Sequence, residues 1–128
     1  MIYLDSSVAL AHLLAEDRSP PDRLWQAPLA SSRLLEYEIW NRVNARRLAP
    51  SHGDAARELI SRVALIELIP PVLVRALEPF PIPVRTLDAL HLASIEFLRG
   101  RGQTLELASY DERLLAAARS LGIEVFEE

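Results

Sequence analysis

The chain has 128 residues, of which 50% are hydrophobic, a formal net charge of -4 at pH 7 and no cysteine. This composition suits one globular domain over residues 1–128 and excludes a disulfide framework, a thiolate metal site and a cysteine nucleophile. All 14 basic residues are arginines, so a catalytic or Schiff-base lysine is also excluded. No apolar run approaches the roughly 20 residues of a membrane span, and no signal-type segment opens the chain. We therefore expect a cytoplasmic protein without a membrane segment.

Short apolar runs bounded by turn or capping residues predict strands at residues 2–5, 28–31, 64–69, 105–109 and 123–126. Helix-like stretches are predicted between them, at residues 7–16, 21–26, 33–48, 52–63, 71–78, 84–100 and 110–120. This alternation is typical of a parallel sheet that right-handed crossovers cover on both faces. We predict a single α/β domain with a central parallel sheet of about five strands, flanked by helices on both faces.

Four acidic residues fall where such a fold gathers side chains at one edge of its sheet. Asp5 directly follows the first apolar run, and Asp111 follows the predicted strand 105–109. Asp88 is one of the few polar residues in a stretch that is apolar on most of its circumference. Ligands of open α/β sheets bind at the carboxyl ends of the strands. Together with Glu38, these residues therefore form a candidate site for a divalent metal.

A helical wheel places Glu38 in the middle of an apolar face. With about 100° per residue, that face contains Leu34, Leu35, Ile39 and Ala45. A carboxylate that points inward must be protonated, paired or bound to a cation. Arg42 follows Glu38 by one turn, so an ordinary salt bridge is the alternative to a metal.

Each aspartate also has a structural explanation. Ser109 and Glu112 have the spacing of a capping box around Asp111, with Ser109 as the N-cap. Asp88 suits a first helical turn, where a carboxylate gains roughly 0.3 to 1 kcal/mol from the helix dipole. Asp5 is a candidate N-cap of the first helix, and Ser6 and Ser7 are equally good candidates.

Several further polar residues lie near the four acids. Ser7 and Ser109 are placed either to hydrogen-bond the carboxylates or a phosphate, or to cap helices. We interpret His91, one turn after Asp88, as a packed, hydrogen-bonded residue rather than a metal ligand. Arginines expected around the rim of the site are Arg33, Arg42, Arg46, Arg47, Arg99 and Arg101, with solvated helix faces as the alternative for each.

The four acidic residues lie in stretches that together resemble a known family. The stretches are Ile2-Tyr3-Leu4-Asp5-Ser6-Ser7, Ser31-Ser32-Arg33-Leu34-Leu35 running to Glu38, Asp88-Ala89-Leu90-His91-Leu92-Ala93 and Ser109-Tyr110-Asp111-Glu112-Arg113-Leu114. Their order and spacing, over nearly the whole chain, resemble those of the PIN-domain ribonucleases, and specifically the VapC-type toxins of bacterial and archaeal toxin–antitoxin pairs.

The resemblance implies a single PIN-like domain that cleaves RNA endonucleolytically by attack of a metal-activated water, with Mg²⁺ or Mn²⁺ as the cofactor. The catalytic residues would be Asp5, Glu38, Asp88 and Asp111. We expect Asp5 and Asp88 to bind the metal directly, and Glu38 and Asp111 to orient bound water or a second ion. The resemblance also implies a VapB-type antitoxin, whose C-terminal segment blocks the acidic site, and a homodimer.

Three other functions are alternatives to this interpretation. A response-regulator receiver also gathers aspartates at strand ends, but it uses a lysine, and this chain has none. A haloacid-dehalogenase-like phosphatase has a second aspartate at the position that Ser7 occupies here. The strongest alternative is a non-catalytic PIN-like module that binds RNA or acts as a scaffold.

Overall fold

The computed structural model describes residues 1–127, and Glu128, the last residue of the predicted domain, lies outside them. The strands in this range are β1 Ile2–Leu4, β2 Leu29–Ser32, β3 Val63–Ile66, β4 Glu106–Ala108 and β5 Glu124–Val125. The helices are α1 Ser6–Leu13, α2 Asp22–Gln26, α3 Leu34–Ala45, α4 Ala49–Ser61, α5 Pro70–Ala76, α6 Thr86–Gly100 and α7 Glu112–Ser120. Every predicted strand and helix is present, with shifted ends. None of these helices is long and apolar enough to cross a membrane.

The strands form one fully parallel sheet in the order β3-β2-β1-β4-β5. The central strand β1 pairs with β2 on one side and with β4 on the other. A strand that is buried on both faces needs an unbroken apolar run, and Ile2-Tyr3-Leu4 supplies one. The predicted α/β fold with a central parallel sheet is confirmed.

The side chains of β1 point alternately into two hydrophobic cores. Ile2 and Leu4 belong to the core that α1, α3 and α4 cover, whereas Tyr3 belongs to the core that α6 and α7 cover. Helices therefore pack on both faces of the sheet, as predicted.

Two local details differ from the prediction. The buried residues of α3 are Leu35, Ile39 and Val43, whereas Ala45, which was assigned to the apolar face, is exposed. The buried residues recur every four positions, and Ala45 is the last residue of the helix. Strand β3 ends at Ile66 and not at residue 69, because its partner β2 ends at the residue that pairs with Ile66.

The turn after α7 returns the chain to the sheet. Gly122 has φ +72°, in the left-handed region that glycine adopts without steric cost. The backbone N–H of Gly122 donates to the carbonyl of Arg119, and that of Ile123 donates to the carbonyl of Ala118, both at 3.0 Å. This pattern is a Schellman motif, and it leads directly into β5.

The carboxyl ends of β1 and β4 meet where the strand order reverses. From β1 the chain moves outward through β2 and β3, and it then returns to the opposite side of β1 with β4. Asp5 follows β1 directly, and its backbone N–H donates to the carbonyl of Ala108 at the end of β4, at 3.0 Å. Ligands of open α/β sheets bind in the crevice at such a switch point.

Candidate functional site

One cavity at this edge of the sheet is lined by all four predicted acidic residues. Its volume is about 780 Å³, and the acids are Asp5, Glu38, Asp88 and Asp111. Asp5 precedes α1, Glu38 lies in α3, Asp88 lies in α6 and Asp111 precedes α7. The complete lining contains six carboxylate residues and three arginines, so its field attracts cations. Residues that are distant in the sequence are thus brought together by the fold.

Asp5 is oriented by two serines. Its Oδ2 accepts a hydrogen bond from Oγ of Ser7 at 2.6 Å and another from Oγ of Ser109 at 2.8 Å. The backbone N–H of Ser7 donates to the same oxygen at 3.4 Å, which makes Asp5 the N-cap of α1. Asp5 is only 6% exposed, and all these bonds use one carboxylate oxygen. Oδ1 accepts none of these bonds, so it remains for a cation or a water molecule.

Helix α7 begins with Asp111 as its N-cap, not with Ser109. Oδ1 of Asp111 accepts from the backbone N–H groups of Arg113 and Leu114 at 2.9 and 3.3 Å. The predicted capping box is therefore wrong, because it requires a helix that starts directly after Ser109, and α7 starts at Glu112. The Ser109 hydroxyl instead donates to the carboxylate of Asp5 and accepts from the N–H of Asp111 at 2.9 Å.

Arg85 bridges two of the acidic residues. Its Nε donates to Oδ2 of Asp88 at 3.0 Å, and its Nη2 donates to Oδ2 of Asp111 at 2.8 Å. The hydrogen bonds to Asp88 and Asp111 raise the pKa of the Arg85 guanidinium. Desolvation by burial alone would raise the pKa of Asp111, but hydrogen bonds from the Leu114 N–H and from Arg85 outweigh it. The pKa of Asp111 is therefore lowered, which keeps the residue ionised.

Glu38 pairs with His91 and not with Arg42. Its Oε1 lies 2.7 Å from Nε2 of His91, and Oγ of Ser6 donates to its Oε2 at 3.4 Å. The other ring nitrogen of His91, Nδ1, lies 2.8 Å from the buried hydroxyl of Tyr3. The interpretation of His91 as a packed, hydrogen-bonded residue is confirmed. The proposed salt bridge between Glu38 and Arg42 is wrong, because the glutamate points inward and Arg42 is exposed.

The protonation of His91 depends on the carboxylates around it. Desolvation by burial opposes the charged form, but the hydrogen bond to Glu38 and the charges of Glu38, Asp5 and Asp88 outweigh it, so the pKa of His91 is raised. Burial also raises the pKa of the Tyr3 hydroxyl, which therefore stays a neutral phenol. The raised pKa favours the protonated form of His91 on the inner side of Glu38.

The arginines at the cavity differ from those predicted. Of the predicted residues only Arg42 lines the cavity, and Arg18 and Arg85 join it. Arg33 instead pairs with two glutamates outside the cavity. The predicted arginines that the cavity lining does not contain are Arg33, Arg46, Arg47, Arg99 and Arg101. The sequence contains one signal for Arg85, because it precedes Asp88 by three residues, the spacing of ion pairs on one helix side.

The donor chemistry of the cavity fits a hard divalent cation. Mg²⁺ takes oxygen ligands, uses one or two carboxylates directly and keeps several waters. Within residues 1–127, no group of three or more His, Asp or Glu side chains is arranged to hold a metal ion. Arg85 provides the positive charge at Asp88 and Asp111, while Oδ1 of Asp5 has no hydrogen bond in this part of the chain. These residues therefore fit an ion that binds few carboxylates and completes its shell with water.

Fold and site together define a parallel α/β protein with an acidic cavity at the switch point of its sheet. Comparison with known families gives a more specific assignment, because residues 2–121 match the model of the PIN domain. The chain therefore belongs to the PIN domain family, as its motifs predicted.

Ribonucleases of Mycobacterium tuberculosis are similar to this chain over almost its whole length. Ribonuclease VapC46 of strain ATCC 25618 / H37Rv is 33% identical over 128 residues, which cover 97% of this chain and 95% of that protein. Ribonuclease VapC47 of strain CDC 1551 / Oshkosh is 31% identical over 129 residues, which cover 95% of this chain and 93% of that protein. Ribonuclease VapC35 of the same strain is 28% identical over 131 residues, which cover 98% of this chain and 95% of that protein. The predicted resemblance to VapC ribonucleases is confirmed.

Proposed function

We propose that this protein is a metal-dependent endoribonuclease of the VapC type and the toxin of a toxin–antitoxin pair. The observation that carries the proposal is the convergence of Asp5, Glu38, Asp88 and Asp111 on one cavity at the carboxyl edge of the sheet. RNA as the substrate is supported by the relatives that are named ribonucleases and that match almost the whole chain. We also propose that residues 1–128 form one domain.

In this proposal the cofactor is Mg²⁺ or Mn²⁺, and its ligands come from Asp5, Asp88 and Asp111. Asp5 and Asp88 bind the ion directly. When bound, the ion polarises the scissile phosphate, lowers the pKa of a water molecule and neutralises charge on the leaving oxygen. Ser7 and Ser109 prevent the Asp5 carboxylate from rotating, because both hydroxyls donate to Oδ2. Fixed ligands keep their geometry when a substrate binds.

Glu38 has a different part in the reaction. His91 and Ser6 hold its two carboxylate oxygens from the protein side. The remaining lone pairs on these oxygens accept hydrogen bonds from water in the cavity, and we assign Glu38 the orientation of the attacking water. The side chain of Glu38 is 21% exposed, which leaves it accessible to that water.

RNA has to approach an acidic cavity, and two arginines of the lining favour this approach. Arg42 is exposed and makes no ion pair within residues 1–127. The guanidinium of Arg18 lies over the ring of Tyr110, 4.0 Å from its centroid. Arginine binds phosphate groups bidentately, so Arg18 and Arg42 are the proposed contacts to the RNA backbone.

The proposal is tested by incubating RNA with the protein in the presence of Mg²⁺ or Mn²⁺. Asp5→Asn is compared with the wild type and with Asp54→Asn, which makes the same chemical change at an exposed residue that pairs with Arg57. We expect the wild type and Asp54→Asn to cleave RNA, EDTA to stop them, and Asp5→Asn to fold but not to cleave. Cleavage that survives both EDTA and Asp5→Asn would refute the proposal. RNA binding without cleavage in any metal would support the non-catalytic module instead.

The proposed protein partners are a VapB-type antitoxin and a second copy of this chain. Apolar side chains on two helices support such contacts, because Tyr37 on α3 is 61% exposed and Leu87 on α6 is 47% exposed. Light scattering after size-exclusion chromatography gives the mass of the purified protein, and we expect a dimer. Copurification from the native operon tests the antitoxin. Recovery of a free, active and non-toxic protein would contradict that part of the proposal.

A further inference from the structure

The guanidinium of Arg85 holds together two carboxylates of the proposed metal site. It does so with two different nitrogens, since Nε bonds Asp88 at 3.0 Å and Nη2 bonds Asp111 at 2.8 Å. Carboxylates that share one small region repel each other unless a cation lies between them. Arg85 therefore satisfies the same electrostatic requirement as a divalent ion would.

We infer that Arg85 is an internal counter-ion that exchanges with the divalent ion: its guanidinium neutralises Asp88 and Asp111 in the metal-free protein and leaves them when the ion binds. This inference rests on the proposed function, because it concerns the regulation of that same site. The guanidinium is a permanent cation, so the exchange replaces one positive charge by two. The acidic site is then stable without metal, and metal binding becomes a competition.

The position of Arg85 permits this exchange. Its side chain is 53% exposed, whereas that of Asp88 is 12% exposed, so the guanidinium can turn into solvent while the carboxylate stays in place. Arg85 precedes the first residue of α6 and has extended backbone angles, φ -80° and ψ 162°. Its carbonyl accepts from the N–H of Ala89 at 2.9 Å, so the backbone is fixed to the helix while the side chain is not. Rotation of the side chain therefore leaves α6 intact.

The expected effect is moderate, because solvent screens half-exposed ion pairs. Breaking two such pairs changes an equilibrium constant by about two- to thirtyfold. A variant without the guanidinium should bind the divalent ion more tightly by this factor, since the ion no longer displaces a competing cation. If Arg85 were itself part of the metal-bound site, its removal would weaken binding.

Arg33 is a matched control for Arg85. It too bridges two carboxylates, because its Nε donates to Glu67 at 2.9 Å and its Nη1 donates to Glu36 at 3.1 Å. It does not line the acidic cavity. Arg33→Gln therefore makes the same chemical change and removes the same number of ion pairs, but away from the proposed metal site.

The first test is calorimetric titration of the full-length protein with Mn²⁺. We expect Arg85→Gln to bind Mn²⁺ about two- to thirtyfold more tightly than the wild type, and Arg33→Gln to match the wild type. If the wild type binds Mn²⁺ and Arg85→Gln binds it with equal or lower affinity, the inference is overturned and the proposed function stands. Absence of Mn²⁺ binding by the wild type overturns both.

The second test observes the wild type itself, by NMR. The Nε–H resonances of Arg85 and Arg33, assigned by the two glutamine variants, both report hydrogen-bonded guanidinium groups. During titration with Mg²⁺ we expect the Arg85 resonance to shift or to exchange with solvent, and the Arg33 resonance to stay unchanged. An Arg85 resonance that does not change at saturating Mg²⁺ would show that the ion pair persists, and the inference would be wrong.

Discussion

Oγ of Ser109 donates a hydrogen bond of 2.8 Å to Oδ2 of Asp5, and so connects the residues that directly follow the neighbouring strands β4 and β1. Ser7 donates to the same oxygen from α1. The Asp5 carboxylate is therefore fixed by the central part of the sheet and by the helix that it caps. The orientation of this proposed metal ligand follows from the topology and not from a flexible loop.

Removal of the Ser109 hydroxyl should weaken metal binding without unfolding the protein. Loss of a residue that orients a metal ligand lowers metal affinity or activity by about 10- to 100-fold. We expect Ser109→Ala to show such a decrease in Mn²⁺ titrations and in the rate of RNA cleavage. Ser61→Ala is the control, since Oγ of Ser61 is exposed and donates to the carbonyl of Glu58 in its own helix, at 2.6 Å. Wild-type affinity and rate in Ser109→Ala would contradict the role assigned to Ser109.

Two substitutions of Asp111 separate its capping role from its role toward the metal. Asparagine caps helices as well as aspartate does, whereas alanine loses about 1 kcal/mol of stability at such a position. Both variants lose the charge that pairs with Arg85, and only alanine also loses the cap. In urea unfolding we therefore expect Asp111→Ala to be less stable than Asp111→Asn by about that amount. Both variants should lose metal-dependent cleavage. Full activity of Asp111→Asn would show that this aspartate acts only as a cap.

The pair of His91 and Glu38 should make the stability of the metal-free protein depend on pH. The folded-state pKa of His91 lies above its ordinary value, so protonated His91 stabilises the fold below the unfolded-state pKa, and this stabilisation is lost as the pH rises through the folded-state pKa. The decrease in the free energy of unfolding caused by His91→Gln should therefore be largest below about pH 6. It should become progressively smaller as the pH rises above this value. Urea unfolding in EDTA across this range measures the difference.

The control for this pH dependence is Glu38→Gln, which removes the carboxylate that His91 contacts. It should decrease the same pH-dependent part of the stability, and the double variant should show little further loss, because residues in direct contact are energetically coupled. A difference between wild type and His91→Gln that is constant, or that grows as the pH rises, would contradict the account of this pair.

Arg42 should contribute to RNA binding through phosphate contact. Each phosphate contact to single-stranded RNA contributes about 0.7 to the slope of log affinity against log salt. In the inactive Asp5→Asn background, Arg42→Ala should decrease the slope by about this amount. Arg46→Ala is the matched control, since Arg46 follows the same helix but does not line the cavity. Equal slopes for the two variants would exclude Arg42 as a contact.

The fold and the positions of the acids were predictable because each depends on a local pattern. The central strand was predicted from a short apolar run, and the inward direction of Glu38 from the helical period. The partners of the acids were not predictable in this way. His91 and Glu38 are 53 residues apart, and Arg85 and Asp111 are 26 residues apart. Such contacts depend on how the elements pack, and local spacing instead suggested Arg42, which lies one turn from Glu38.

We propose that Asp5 and Asp88 bind a divalent ion in the acidic cavity together with Asp111. The most direct measurement is the anomalous scattering of Mn²⁺ in crystals of the active protein at a saturating Mn²⁺ concentration. We expect a peak in the cavity, within coordination distance of Asp5 and Asp88, and loss of this peak in Asp5→Asn. A cavity without a peak in the active protein, or a peak only at other sites, would show that these aspartates do not form the metal site.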